Sequence, residues 1–320
     1  VPPTVTWTTP SVDAYQTTTG YTPSWSVTDS TSGIGTPGTA GTVTRQVATL
    51  SNNTCGAFSN QATQTNNSTV TLASGNCYRW VFTTAPQDAA GNTTSTNLTS
   101  STIKVDTVAP TAGTTTVTES SAALAVTGTT LYYNPATAAG EAFGVSQAPT
   151  DTVTGIASVD FPAVSGLGSG ATNGVVTDTT SPYSSSPAYV FGTGSLTASG
   201  SQTITIRDNA GNSSTSSFTV TADSAAPVID WTTPSVAAYN TSASITPAWT
   251  VTDAGSGVAV AGTVTRQWAA LSNNACDTTW TNDGTVTSGT SNTLTTGRCY
   301  QWVFTTAPVD NVGNTTSANL

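Results

Sequence analysis

Residues 41–55 read GTVTRQVATLSNNTC, and residues 262–276 read GTVTRQWAALSNNAC. Within the first, Thr42-Val43-Thr44-Arg45-Gln46-Val47 alternates with period two, the mark of a strand with one face buried. The likeness of the two stretches extends outward. WTTPSVDAY (7–15) returns as WTTPSVAAY (231–239), and TPSWSVTD (22–29) as TPAWTVTD (246–253). CYRWVFTTAPQDAAGN (77–92) returns as CYQWVFTTAPVDNVGN (299–314). A repeat on this scale means a string of folding units rather than one globule. It directs the functional expectation toward a spacer or shaft and away from a single active site.

The stretch between the two copies carries the same landmarks in a diverged sequence. T-D-x-x-[ST]-G-[IV] occurs at Thr28–Ile34, Thr150–Ile156 and Thr252–Val258. D-x-[AV]-G-N occurs at Asp88–Asn92, Asp208–Asn212 and Asp310–Asn314. Two D-x-x-A-P segments, Asp106–Pro110 and Asp223–Pro227, separate three modules: 1–107, 108–227 and 228–320. Proline fixes φ and donates no hydrogen bond, which suits a stiff junction between successive units. Further alternating runs lie at Ser24–Thr28, Tyr78–Thr83, Thr203–Ile206 and Ser217–Val220. Many short strands per module, parted by Gly, Asn and Asp, read as a β-sandwich. Trp25, Trp80 and Phe82, with Trp249, Trp302 and Phe304 in the second copy, are the expected core aromatics.

Composition narrows the function. Hydrophobic content is 36% and charged content 7%, with the polar bulk in Thr, Ser, Asn and Gly, as expected for strands with polar outer faces. Net charge is −10 with six basic residues, too few to neutralise nucleic-acid phosphates or to hold an anionic membrane surface. No apolar run reaches the roughly 20 residues that a spanning helix needs, so no membrane insertion is expected of this segment. There is no histidine, so no Ser-His-Asp or Cys-His arrangement exists, and the chain is not expected to be an enzyme.

Four cysteines allow three pairings. One pair recurs in each outer module, which favours Cys55–Cys77 and Cys276–Cys299. With no CxxC and no histidine, structural disulfides are expected, and with them an oxidising, extracellular or cell-surface location.

The ordered set of landmarks, three times over, resembles bacterial Ig-like repeat domains, which occur in tandem in large surface proteins and adhesins. The resemblance implies an all-β chain of three tandem Ig-like β-sandwiches in an A-B-A arrangement. It implies partners that are neighbouring copies of the same array or cell-surface components, with calcium at the domain junctions and no other cofactor. Leu320 aligns with Leu98, so the last module is expected to lack a counterpart of Thr99–Thr107, its final strand.

The aspartates of the landmarks carry two readings. As hard oxygen ligands for Ca²⁺, Asp29 and Asp88 would converge with Asp106 at one end of module one. Asp151 and Asp208 would converge with Asp223 in module two, and Asp253 and Asp310 would serve in module three. As turn residues, the same aspartates would accept backbone N–H groups while Gly91, Gly211 and Gly313 supply positive φ. Arg45 and Arg266, at the same place in the two copies, are expected to meet a carboxylate or an aromatic ring. A rival function is a carbohydrate-binding module array: Trp7, Trp231, Trp268 and Trp280 are the tryptophans least clearly facing a core, and Trp231, Trp268 and Trp280 are the candidate ligand-contacting side chains.

Overall fold

A computed structural model describes residues 1–36, 38–186 and 188–317; Leu320, where the third module is expected to end, lies outside them. The described residues are all-β, with no helix.

In module one the long strand Thr42–Ser51 pairs antiparallel with Asn76–Thr84 and with Ser59–Gln64. Asn76–Thr84 is flanked on its other side by Ile103–Val105, which runs parallel to Ala14–Gln16. Thr4–Thr9 pairs with Ser24–Thr28 to form the facing layer. Between them lies a cluster of Val43, Leu72, Tyr78, Trp80, Phe82, Ile103 and Val105, with Trp7 and Trp25 packed against it. Trp80 and Phe82 are fully buried, each stabilising the fold by roughly 2–3 kcal/mol of apolar burial. The Asn-Asn pair closes a two-residue hairpin between Thr42–Ser51 and Thr54–Cys55. Asn52 and Asn53 both have positive φ (44° and 63°), as do Asn273 and Asn274 (50° and 66°). A tight hairpin turn asks for that backbone twist, and asparagine tolerates it.

The middle module is a sandwich of two sheets. One holds Thr111–Glu119, Ala142–Thr150, Tyr183–Ser184 and Tyr189–Val190. The other runs in the order Leu124–Thr127, Thr130–Tyr133, Ser213–Ala222, Gly200–Asp208, Ile156–Phe161, Val176–Asp178. The core between them takes Val117, Phe143 and Val145 from the first sheet and Val159, Ile204 and Phe218 from the second. In module three Thr263–Ser272 pairs with Arg298–Thr306 and Thr281–Val286, and Val264, Trp302 and Phe304 form the buried cluster.

Both disulfides are formed, Cys55–Cys77 and Cys276–Cys299, each with a Cα–Cα distance of 5.8 Å. Cys77 sits in a small cluster with Ala48 and Leu50, against which Cys55, Phe58 and Val153 pack. Val153 belongs to the middle module, so the disulfide hairpin reaches across the first junction. Asn52 and Asn53 donate their backbone N–H groups to the carbonyls of Thr152 (3.0 Å) and Val153 (2.9 Å).

Candidate metal centres at the module junctions

Each T-D-x-x-[ST]-G loop is organised by its aspartate. Asp151 Oδ1 accepts the N–H groups of Val153, Thr154 and Gly155 at 2.8–2.9 Å. Asp29 Oδ1 accepts those of Thr31, Ser32 and Gly33, and Asp253 Oδ1 those of Gly255 and Gly257. The D-x-[AV]-G-N turns are equally regular. Asp208 takes the backbone and side-chain N–H groups of Asn212, both at 2.8 Å. Asp88 and Asp310 make the same pair of bonds to Asn92 and Asn314. Gly91, Gly211 and Gly313 have φ of 87°, 95° and 85°. Every landmark aspartate therefore caps its own turn.

The third carboxylate arrives from elsewhere than the sequence suggests. Asp106 joins Asp151 and Asp208, not Asp29 and Asp88; Asp223 joins Asp253 and Asp310, not Asp151 and Asp208. The last strand of a module ends where the next module begins, and the loop and turn of that next module stand at the same place. The junction aspartate thus serves the downstream unit. In each triad one oxygen per residue lies within 4.8 Å of the others.

Asp106 accepts the Thr154 hydroxyl at 2.7 Å and the Val108 N–H at 3.1 Å. Asp223 accepts the Ser256 N–H at 2.7 Å and the Ala225 N–H at 3.1 Å. Asn212 and Asn314 donate across the junction to the carbonyls of Asp106 and Asp223, both at 3.0 Å. At the second junction the buried Asn134 also donates to Val312 O (3.2 Å) and Asn314 Oδ1 (2.8 Å). A side chain at position 255 would collide with the Asp223 carboxylate, so the glycine there permits the close approach.

The triads are charged and short of positive partners. Asp106, Asp208, Asp223 and Asp310 are almost wholly buried. The ion pairs among the described residues are Arg207–Asp160 and Arg266–Asp283, neither of which touches a triad. Carboxylates at this spacing repel by roughly 3–4 kcal/mol per pair at an effective dielectric of about 20. Burial without a counter-charge adds to that cost. The hydroxyl of Ser256, beside the Asp223 carboxylate, is buried with no hydrogen-bond partner. Hard carboxylate and carbonyl oxygens with an unbalanced negative charge are the donor set that Ca²⁺ takes, so the residues fit a divalent cation. Ca²⁺ bound there would supply the missing positive charge.

In module one Asp29 and Asp88 stand as a pair. The Ser32 backbone N–H, with those of Gly33 and Thr31, holds the Asp29 carboxyl below its usual value against the opposing effect of burial. The Asn92 side-chain amide does the same for Asp88, followed by the Asn92 backbone N–H. Both folded-state values lie below the unfolded value of about 3.9. The stabilisation is therefore complete above that value and is lost as pH falls through the folded-state values. Module one is expected to lose thermal stability progressively below about pH 4, and Asp29→Asn with Asp88→Asn should flatten that acid limb. Thermal melts followed by circular dichroism across pH 2–6 (approximate working range, set by the carboxylate values) test it.

The tryptophan candidates separate. Trp231 is half-buried and packs on Trp249 and Phe304 with ring centroids at 5.1 and 5.8 Å, at the margin of the module-three core. It has two inward neighbours because the register of Val228–Thr233 on Ala248–Thr252 sets it directly opposite Trp249. Trp268 carries the Arg298 guanidinium over its ring at 3.7 Å. Trp280 is half-buried outside any strand. Arg45 and Arg266 lie over Tyr78 and Tyr300 at 5.8 and 5.6 Å, and Arg266 also meets Asp283 at 2.8 Å. A surface depression of about 610 Å³ on module one is lined by Trp25, Val27, Thr42, Gln64 and Asn66 among others, none of them ionisable. What sequence reasoning missed was Asn134, Val153 and Thr154 at the junctions. Thr154 could have been found from its place in the loop motif; Asn134 and Val153 carry no motif.

No protein-family model matches the chain, and no curated protein matches it. Among solved structures it is similar to the fibronectin(III)-like modules of Clostridium thermocellum CbhA (14% identity, TM-score 0.29, 68% of this chain and 93% of that one). It is similar also to three N-terminal domains of the bacteriophage RB49 Highly Immunogenic Outer Capsid protein (11%, 0.27, 99% and 94%). A third is protocadherin gamma B2 extracellular cadherin domains 3–6 (12%, 0.26, 83% and 59%). Scores this low carry no argument; the all-β sandwich stands on the strand pairing.

Proposed function

We propose that the chain is a structural, extracellular array of Ig-like units without catalytic activity, either the stalk of an adhesin or the repeating body of a cell-surface filament. The observation that carries this reading is the construction of the junctions. Each upstream module lends a carboxylate and a carbonyl to the loops of the next, and backbone or buried side-chain bonds add to each contact. Such contacts restrict bending, which a load-bearing shaft requires and a set of independent binding modules does not. Two disulfides suit a compartment outside the cytoplasm. Ca²⁺ in the aspartate triads stiffens the junctions, and neighbouring copies or cell-surface components are the partners. The carbohydrate-binding alternative is weakened by the inward packing of Trp231 and the covered ring of Trp268.

Imaging of the purified chain by negative stain tests the reading. Straight particles of uniform length are expected, isolated for a stalk and laterally or axially ordered for a filament. Freely bent particles, or tight glycan binding abolished by Trp268→Ala, would reverse it. Asn134→Ala should loosen the second junction at a cost of about 1–3 kcal/mol, the usual range for a buried polar partner removed, visible as an increased spread of bend angles between the second and third modules.

A further inference from the structure

The two junctions are assembled from different parts, and one loop position separates them. The residue two places after the loop aspartate is Thr31, Val153 and Gly255 in the three modules. Where it carries a side chain, the loop closes on itself. Asp29 takes the N–H groups of Thr31, Ser32 and Gly33, and Asp151 those of Val153, Thr154 and Gly155. With glycine the bonding changes. Asp253 takes the N–H groups of Gly255 and Gly257, and the one between them, that of Ser256, turns to Asp223 of the upstream module at 2.7 Å.

Backbone conformation does not call for that glycine. Gly33, Gly155 and Gly257 have positive φ, but Gly255 does not, so its backbone would accept alanine without strain. What excludes a side chain is the neighbour, since an added Cβ would overlap the carboxylate of Asp223. Thr154 and Ser256 complete the contrast. Thr154 uses its N–H within the loop and reaches Asp106 with its hydroxyl. Ser256 reaches Asp223 with its N–H, and its hydroxyl is left without a partner.

The upstream surfaces match these loops. Module one offers the Asn52-Asn53 hairpin, whose N–H groups bond the carbonyls of Thr152 and Val153. It also offers the cluster of Ala48, Leu50 and the Cys55–Cys77 disulfide, on which Val153 packs. The middle module has no cysteine. It reaches downstream through Asn134, which bonds Val312 and Asn314 in the D-x-V-G-N turn and leaves the loop to Asp223.

We propose that this one loop position selects the kind of module that can stand upstream. A branched apolar side chain accepts a module with the disulfide hairpin. Glycine accepts a module of the middle type, whose carboxylate must come close, and any larger residue there repels it. The selection needs no bound cation, because each contact lies between protein groups.

Amide exchange on the whole chain in chelator, with reciprocal variants, tests the proposal. Val153→Gly should speed exchange of the Asn52 and Asn53 amides at least about tenfold, a loss of roughly 1.4 kcal/mol, and leave Ser256 unchanged. Gly255→Ala should do the same to Ser256 and leave Asn52 and Asn53 unchanged. To separate a junction effect from damage to the loop itself, Gly255→Ala is repeated in an Asp223→Ala chain. The fall in the module-three melting transition that it causes in the parent should vanish there. If Val153→Gly frees only the Thr154 and Gly155 amides, or if Gly255→Ala costs the same with and without the Asp223 side chain, each residue serves its own loop and the proposal is overturned. Unchanged exchange in both variants, or faster exchange at both junctions from a single one, also overturns it.

Discussion

Saturating Ca²⁺ is expected to raise the melting temperature of the middle and third modules by on the order of 10 °C over the chelated protein. The figure follows from a ligand at about a hundred times its dissociation constant, worth about 2.7 kcal/mol, spread over domains of roughly 100 residues. The carboxylates of Asp106, Asp151 and Asp208 lie together without a Lys or Arg paired to them among the described residues, so the chelated chain carries their repulsion and a chain with Ca²⁺ bound there would not. Asp106→Asn separates the two contributions. It keeps one oxygen for the Val108 N–H and sets an amide N–H against the Thr154 hydroxyl, which can turn to accept it, while removing one charge. In chelator it should be as stable as the parent or more so; in Ca²⁺ it should lose most of the response of the middle module. Asp223→Asn should also remove the Ca²⁺ response of the third module, but it should cost stability in chelator as well, because Asp223 accepts the N–H groups of Ala225 and Ser256 on separate oxygens and the amide has only one. Module one, with Asp29 and Asp88 alone, serves as the internal control with a smaller response. Scanning calorimetry with Ca²⁺ and with chelator measures all three transitions, and an unchanged profile would remove calcium from the account of the junctions.

Replacing Cys55 and Cys77 together by serine should destabilise module one by about 3 kcal/mol, the chain-entropy value for closing a loop of some 20 residues. The effect should exceed that of the Cys276–Cys299 pair, although the loops are nearly equal, at separations of 22 and 23. Cys77 is fully buried beside Ala48 and Leu50, with Val153 of the middle module packed on the same cluster. Cys276 is exposed and Cys299 only half-buried. The first replacement therefore introduces a buried hydroxyl and loosens the contact with Val153 as well as opening the loop. Urea titrations of the two double variants give the comparison; equal shifts would mean that packing around Cys77 contributes nothing.

Much of the fold was legible because its signals are local. Period-two alternation marked Ser24–Thr28 and the start of Thr42–Ser51, and the strands lie there. The recurring cysteine in each copy picked out the two disulfides that are formed. Trp80 and Phe82 alternate on a strand flanked on both sides, and they are fully buried. The contact of Trp231 with the core was not legible, because its own strand, Val228–Thr233, is short, exposed at every other residue and paired on one side. Nothing nearby in sequence announces that Phe304 closes over its ring.

The chain alone determined the repeat, the alternating strands and the aspartate-capped turns, since each depends on backbone and side-chain preferences spanning a few residues. Tertiary structure decided which module each junction aspartate serves. Asp106 and Asp208 are brought together only by the packing of two complete modules, and so is the seat of Val153 on the disulfide cluster. A contact between distant residues is fixed by where whole strands end in space, and no short stretch of sequence carries that information.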